Sequence, residues 1–207
     1  MPIRLFLILT CIASGALAQT IRGVEVFGGY SYTRMPAEPG GLTAANLNGW
    51  NAAVKVNFWS RAGWVFDFEG SYGRRRMVPS GFQPRETLDG GVRQHTVLSG
   101  PEIRLFTTRR LAANARVLIG ALYVNPLTLP LKEPFAPGPP DPRPLVTQFT
   151  LGRAKPLAGA VGFSFDYRVT DHLSIRLLQS DLVVVSLGDL NLRRPRVSTG
   201  IVFTFGW

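Results

Sequence analysis

Few residues in this 207-residue sequence could carry out catalysis. Of its two histidines, His172 lies in a predicted short turn, and His95 with Ser99 and Glu102 is the one cluster that resembles a hydrolytic arrangement. A hydrolytic site needs such groups in hydrogen-bond contact. Along a strand, His95 and Ser99 would share a face but lie about 13 Å apart, and Glu102 would face the other way unless the strand bends between them. We therefore expect no enzyme.

The sequence offers no better support for a metal site or a bound cofactor than for catalysis. The single cysteine, Cys11, lies in the apolar N-terminal segment, so the rest of the chain can form no disulfide and has no thiol nucleophile. The sequence contains no paired Cys or His motif for a metal, no GxxxxGKS/T phosphate loop and no GxGxxG motif. We expect no cofactor and no metal.

The N-terminus has the pattern of a signal peptide. Arg4 precedes an apolar run of 14 residues, Leu5 to Ala18, which ends in the small-residue sequence Ala-Leu-Ala. A helix that crosses a bilayer needs about 20 residues, so cleavage after Ala18 is favoured over a retained anchor. Lipid attachment at Cys11 is disfavoured because Thr10 is bulky for that processing. We expect a signal peptide at 1–18 and one domain at 19–207.

The strong positive charge would suit nucleic acid, but export argues against that partner. Removal of Arg4 with the signal peptide leaves 22 basic and 13 acidic residues, and nearly all the basic ones are arginine. Guanidinium groups suit lipid phosphates and buried carboxylates equally well. We expect envelope chemistry and no nucleic acid.

Beyond the N-terminal segment, apolar and polar residues alternate with the period of a strand. No later apolar stretch is long enough for a membrane-spanning helix. We expect a bend of the fourth strand at Gly100-Pro101, and a bulge or twist in the seventh where Gln179 and Asp181 break the alternation. The alternating segments are 24–33, 47–58, 64–72, 93–106, 113–124, 157–169, 173–185 and 197–207.

The links between these segments alternate in length. Short links at 59–62, 107–112 and 170–172 are interleaved with long ones at 34–46, 74–92, 125–156 and 186–194, and the link at 125–156 holds nine of the 16 prolines. This rhythm and the even strand count are typical of transmembrane barrels. We predict an all-β fold, an eight-stranded antiparallel up-and-down transmembrane β-barrel.

The polar face indicates which side points to lipid. A soluble lipocalin-like barrel also alternates, with its apolar face inside. Here the polar face carries charges in mid-strand, whereas the other face carries large aromatics and aliphatics. An eight-stranded lumen is just wide enough for side chains to fill, so we expect Lys55, Arg116 and Arg176 to pair there with Asp67, Glu69 and Asp166. A narrow ion-conducting path through these charges is the alternative.

Several segments resemble the small OmpA-like outer-membrane β-barrel family, in its barrel-only form without a peptidoglycan-binding domain. They are residues 24–32 (VEVFGGYSY), 47–51 (LNGWN), 100–101 (GP), 175–181 (IRLLQSD) and 198–205 (STGIVFTF). The resemblance implies the outer membrane of a Gram-negative-type bacterium. It also implies that Phe203, Phe205 and Trp207 form the signal for the barrel-assembly machinery, with periplasmic chaperones as further partners during biogenesis. Trp207 replaces the commoner terminal Phe.

Function is less constrained than fold. We expect a monomer with a structural or surface-interaction role. Some eight-stranded barrels modify lipid A, which is a second alternative, although His95 lacks the His-x-Ser spacing of the deacylases. Arginines near the predicted long links, including Arg34 and Arg93, could bind outer-membrane lipid and lipopolysaccharide phosphates. The girdle predicted for this role comprises Arg74, Arg75, Arg76, Arg193, Arg194 and Arg196.

Overall fold

A computed structural model describes residues 22–37, 43–77, 88–124, 156–187 and 190–206. The expected signal peptide, the proline-rich link and Trp207 lie outside these residues. Eight strands form a closed barrel in which each strand pairs antiparallel with its neighbours and β1 pairs with β8. The strands are β1 (Gly23–Met35), β2 (Ala45–Asn57), β3 (Ala62–Met77), β4 (Leu88–Thr107), β5 (Leu111–Val124), β6 (Leu157–Arg168), β7 (Leu173–Leu187) and β8 (Leu190–Phe205). The predicted fold is confirmed.

Burial follows the predicted alternation. In β2, Asn51, Ala53 and Lys55 are buried in the lumen, whereas Trp50 and Val54 are exposed on the outer wall. Closure pairs every strand on both sides, which is the condition for placing backbone in hydrocarbon. Among the described residues no helix has the length and apolarity needed to cross a membrane.

The two ends of the barrel differ. At one end, here called the turn end, residues 58–61, 108–110 and 169–172 join consecutive strands. Backbone hydrogen bonds close these turns, with the N–H of Thr108 donating to the carbonyl of Leu111 at 2.7 Å and that of Val169 to Leu173 at 2.9 Å. The opposite end is called the loop end. The remaining links, which join β1 to β2, β3 to β4, β5 to β6 and β7 to β8, leave from it.

One predicted strand boundary is wrong. The eighth strand does not begin at Val197 after a link at 186–194, because β7 continues to Leu187 and β8 begins at Leu190. Charged residues that indicated a loop are strand residues facing alternately in and out. At Gly100-Pro101, where a bend is expected, the β4–β5 register is unchanged and shifts only between Arg104 and Phe106, so no bulge lies at that position.

The predicted irregularity in β7 is confirmed. The β7–β8 register shifts between Arg176 and Gln179, and Leu177 and Leu178 both face outward. A bulge inserts one extra residue and so restores the facing of the residues that follow. Gln179 and Asp181 therefore face the lumen, as Arg176 does.

Candidate functional site

The middle of the lumen holds a group of five charged side chains, called the central cluster: Asp67, Glu69, Arg116, Asp181 and Arg196. Arg116 lies 3.1 Å from Asp67 and 2.6 Å from Asp181. Arg196 lies 2.8 Å from Asp67, 3.1 Å from Glu69 and 2.9 Å from Asp181. These residues belong to β3, β5, β7 and β8, so the ion pairs cross the lumen.

Neutral polar side chains complete the hydrogen bonding of the central carboxylates. Glu69 accepts hydrogen bonds from Thr33 at 2.7 Å and from Ser71. Gln179 donates to Asn51 at 3.0 Å and to Asp181 at 3.2 Å. Buried ions are tolerated when their remaining hydrogen-bonding capacity is met in this way.

Gly162 provides the space for one of these ion pairs. It lies opposite Arg116 across β5–β6 and opposite Asp181 across β6–β7. A Cβ at this position would overlap Asp181 Oδ1. Because glycine has no side chain, the Arg116–Asp181 ion pair can lie directly over β6 at this position.

A second group, the turn-end cluster, lies nearer the short turns and comprises Glu25, Lys55, Glu102, Arg104, Asp166 and Arg176. Lys55 lies 2.9 Å from Glu102 and 3.6 Å from Glu25, and Arg104 lies 2.9 Å from Glu25. Arg176 donates to both carboxylate oxygens of Asp166, at 2.7 and 3.1 Å. Such a two-pronged pair fixes geometry as well as charge.

The structure places all six residues predicted for the lumen inside the barrel, with Arg116 paired to Asp67 and Arg176 to Asp166. Lys55 is an exception among the predicted partners, because it contacts Glu25 and Glu102 instead. Sequence reasoning also missed Arg196 and Asp181 as members of the network. For Asp181, the break in the apolar–polar alternation was the sequence feature that could have identified it as a lumen residue.

Between the central cluster and the loop end, the lumen holds apolar side chains together with buried polar ones such as Gln94 and Arg194. Leu98, Leu118 and Leu122 are each at most 2% exposed, and Val183 and Val185 pack in the same buried group. A turn-end cavity of about 80 Å³ borders Glu25, Arg104 and Asp166. The lumen is thus occupied by two charged groups and, toward the loop end, by a mixed group of apolar and polar side chains.

For three of the six arginines predicted to form the lipopolysaccharide girdle, the expected position on the rim is wrong. Arg75, Arg194 and Arg196 are buried in the lumen rather than exposed on the rim. Arg75 donates to the carbonyls of Thr43 and Pro36 at 3.0 and 2.9 Å, and Arg194 donates to Gln94 at 2.9 Å. The physical reason is strand parity, since neighbouring residues point to opposite faces.

The arginines that do face outward at the loop end form what we call the arginine belt: Arg34, Arg74, Arg76, Arg93 and Arg193. They lie on β8, β1, β3 and β4. Below them, Tyr30, Trp50, Gly70, His95 and Tyr123 occupy one continuous row of paired positions from β1 to β5.

This aromatic row is a reference for the position of each belt residue along its own strand. Arg34 lies four residues beyond Tyr30 on β1, and Arg93 lies two residues beyond His95 on β4. Arg76 and Arg193 lie six residues beyond the row on their strands, so at the rise of a strand the belt residues are about 7–20 Å closer to the loop end than the row. Aromatic girdles mark the interface of a membrane barrel, so the belt lies where lipid headgroups would be.

The residues of the possible hydrolytic site are not brought together. The His95 ring packs edge-on against Tyr72, with centroids 5.9 Å apart. Ser99 accepts a hydrogen bond from Trp64 Nε1 at 2.7 Å on the outer wall, whereas Glu102 lies inside the lumen beside Lys55. No cluster of three His, Cys, Asp or Glu side chains suited to a metal occurs among the described residues. Phe203 and Phe205 of the expected assembly signal face outward.

Solved structures with this architecture come from outer membranes. OprG from Pseudomonas aeruginosa matches with a TM-score of 0.60 at 11% identity, covering 91% of this chain and 98% of OprG. The Yersinia pestis protein Ail, in complex with the heparin analogue sucrose octasulfate, matches with a TM-score of 0.56 at 14% identity, covering 89% of this chain and all of Ail. This is the fold of small outer-membrane barrels.

A further match extends the same comparison. Neisserial surface protein A matches with a TM-score of 0.55 at 9% identity, covering 87% of this chain and 96% of that protein. No family model matches the sequence, and no curated protein matches it. At these identities the likeness concerns the fold alone.

Proposed function

We propose that this chain is a non-conducting barrel of the outer membrane with a structural or surface-interaction role. The observation that carries the proposal is the central cluster, in which Arg116 and Arg196 bridge carboxylates on opposite sides of the lumen. An ion on a path through the barrel would have to separate pairs whose side chains are at most 2% exposed. The tightly packed leucine and valine side chains toward the loop end would then narrow its path further.

Conductance in planar bilayers tests the closed lumen. Purified wild-type barrel should give no discrete current steps under conditions in which a wide porin conducts. Steps whose number rises with the amount of folded barrel would favour the alternative, a narrow ion channel. Unfolded protein added at the same concentration controls for nonspecific leakage.

Loop replacement separates the structural role from the surface role. Residues 127–153 join β5 to β6, and a short Gly/Ser linker can replace them without touching a described strand. Heat-modifiable gel mobility would show that the barrel still folds. If the role is structural, the shortened barrel should restore the envelope integrity of a deletion strain. If the role depends on this surface segment, only the full-length chain should do so.

A second candidate function is lipopolysaccharide binding by the arginine belt. Guanidinium groups bind phosphate with two parallel hydrogen bonds, and the belt lies just beyond the aromatic row. Ail was solved with a sulfated ligand, which is anionic as lipid A phosphates are. Replacing Arg34, Arg74 and Arg93 by Gln should reduce the lipopolysaccharide retained on purification, whereas replacing Arg109, Arg110 and Arg168 at the turn end should not. Equal retention by both variants would contradict the candidate.

A further inference from the structure

The turn end carries a second group of exposed arginines: Arg22, Arg61, Arg109, Arg110 and Arg168. Six of the carboxylates whose side chains are described lie in the lumen, and only Asp171 is exposed. The exposed charge at this end is therefore predominantly positive. Neither the charge-plugged lumen nor the arginine belt explains it.

Three of these arginines are held close together by the sheet. The backbone N–H of Arg168 donates to the carbonyl of Arg110 at 2.7 Å, which places the end of β6 against the β4–β5 turn. Arg109 is the neighbouring residue in that turn. The turn is fixed in shape because the N–H of Leu111 donates to Thr108 Oγ1 at 3.0 Å. Because the turn is already ordered, less conformational entropy is lost when these arginines bind a ligand.

Apolar surface adjoins the three arginines. Leu111 is 42% exposed and Val169 is 50% exposed, and both lie beside these arginines in the chain. Arg110 Nη1 donates to the hydroxyl of Tyr167, at 3.4 Å, on the neighbouring strand. Cationic groups next to exposed aliphatic and aromatic side chains suit a ligand that has an anionic head and apolar chains.

We propose that Arg109, Arg110 and Arg168 bind the phosphates of an anionic phospholipid in the membrane leaflet at the turn end, which is the periplasmic leaflet. A lipid with two phosphates, of the cardiolipin kind, can engage the turn and the end of β6 together. A cell-wall glycan would match the charge but would leave the exposed Leu111 and Val169 without a partner. The inference does not depend on lipopolysaccharide binding at the opposite end.

Native mass spectrometry of the full barrel in detergent tests this site, with cardiolipin and zwitterionic phosphatidylethanolamine as probes. Wild type should retain cardiolipin in preference to phosphatidylethanolamine. The triple variant R109Q/R110Q/R168Q should bind cardiolipin on the order of a hundredfold more weakly, at roughly a factor of five for each arginine. The variant R22Q/R61Q removes two exposed turn-end arginines outside the proposed site and should bind it as wild type does. Heat-modifiable mobility checks that each variant is folded.

Four results would overturn the proposal. They are equal binding of the two lipids by wild type, unchanged cardiolipin binding by the triple variant, an equal loss in R22Q/R61Q, and displacement of cardiolipin by soluble cell-wall fragments. Salt dependence needs no variant, so it tests the site even if the turn-end variant does not fold. Cardiolipin affinity of wild type should fall as ionic strength rises, because exposed charges are screened. Salt-independent binding would also overturn the proposal.

Discussion

Two neighbouring regions of β8 show how this barrel uses arginine. Arg193 is exposed on the outer wall, whereas Arg196, three residues away, is fully buried among three carboxylates. The same side chain is a membrane-facing cation at one position and a structural part of the lumen at the other. Residues three apart on a regular strand face opposite sides, so strand parity alone decides between these roles. Substitutions on the outer wall and in the lumen should therefore act independently.

The largest expected effect comes from removing a central cation. Arg196→Ala would leave Asp67, Glu69 and Asp181 with fewer positive partners in a buried site. Breaking a buried ion pair from one side costs about 3–5 kcal/mol of unfolding free energy. The matched substitution Arg193→Ala should change it by less than about 0.5 kcal/mol, as at other surface positions. Urea unfolding of the barrel in lipid vesicles measures both, and similar losses would contradict the assigned facing.

Placing a charge on the lipid wall is the converse change. Val161 lies near the middle of β6 and is 62% exposed. Val161→Arg should destabilise the folded barrel by roughly 2–4 kcal/mol, because a cation would face the bilayer midplane. Leu157→Arg, on the same face near the loop end, should cost only about 0–1 kcal/mol. An equal effect at both depths, measured by the same unfolding assay, would argue against this membrane placement.

Overpacking the central cluster should lower the unfolding free energy by a smaller amount. Gly162→Ala places a methyl group against Asp181 Oδ1 and the Ser180 carbonyl oxygen, so the Arg116–Asp181 pair and the β7 backbone beside it must shift. Overpacking of this kind costs about 1–3 kcal/mol. The control Gly159→Ala meets nothing closer than 3.6 Å. It should be neutral or stabilising by up to about 1 kcal/mol, since glycine loses more backbone freedom on folding. A Gly162→Ala barrel as stable as the control would contradict the predicted role of this space.

Alternation made most of the fold predictable. The contrast between Trp50, Val54 and their inward neighbours fixes facing without any knowledge of partners. The bulge in β7 was also predictable, because Asp181 fell on the wrong face for a regular strand. The rim arginines were predicted less well, since Arg194 and Arg196 belong to a run of charged residues that was interpreted as a loop.

Pairing across the lumen could not be predicted from the same pattern. Parity gives the face of each side chain but not its height, which depends on the stagger between strands around the barrel. Lys55 therefore contacts Glu25 and Glu102, at the turn end, rather than the carboxylates of the central cluster. Arg196 contacts Asp67 from 129 positions away. Such contacts require the closed barrel and are absent from any local sequence pattern.

The smallest expected loss of unfolding free energy comes from breaking a polar contact on the outer wall. It tests whether such contacts stabilise the barrel as much as those in the lumen do. Trp64 Nε1 donates to Ser99 Oγ at 2.7 Å on that wall. Trp64→Phe removes one neutral hydrogen bond and keeps an aromatic side chain, so it should cost about 0.5–1.5 kcal/mol of unfolding free energy. Ser99→Ala removes the same bond from the other partner and serves as the matched variant. A loss approaching that of Arg196→Ala would mean that outer-wall contacts also hold the barrel closed, and that the separation between a structural lumen and a lipid-facing wall is incomplete.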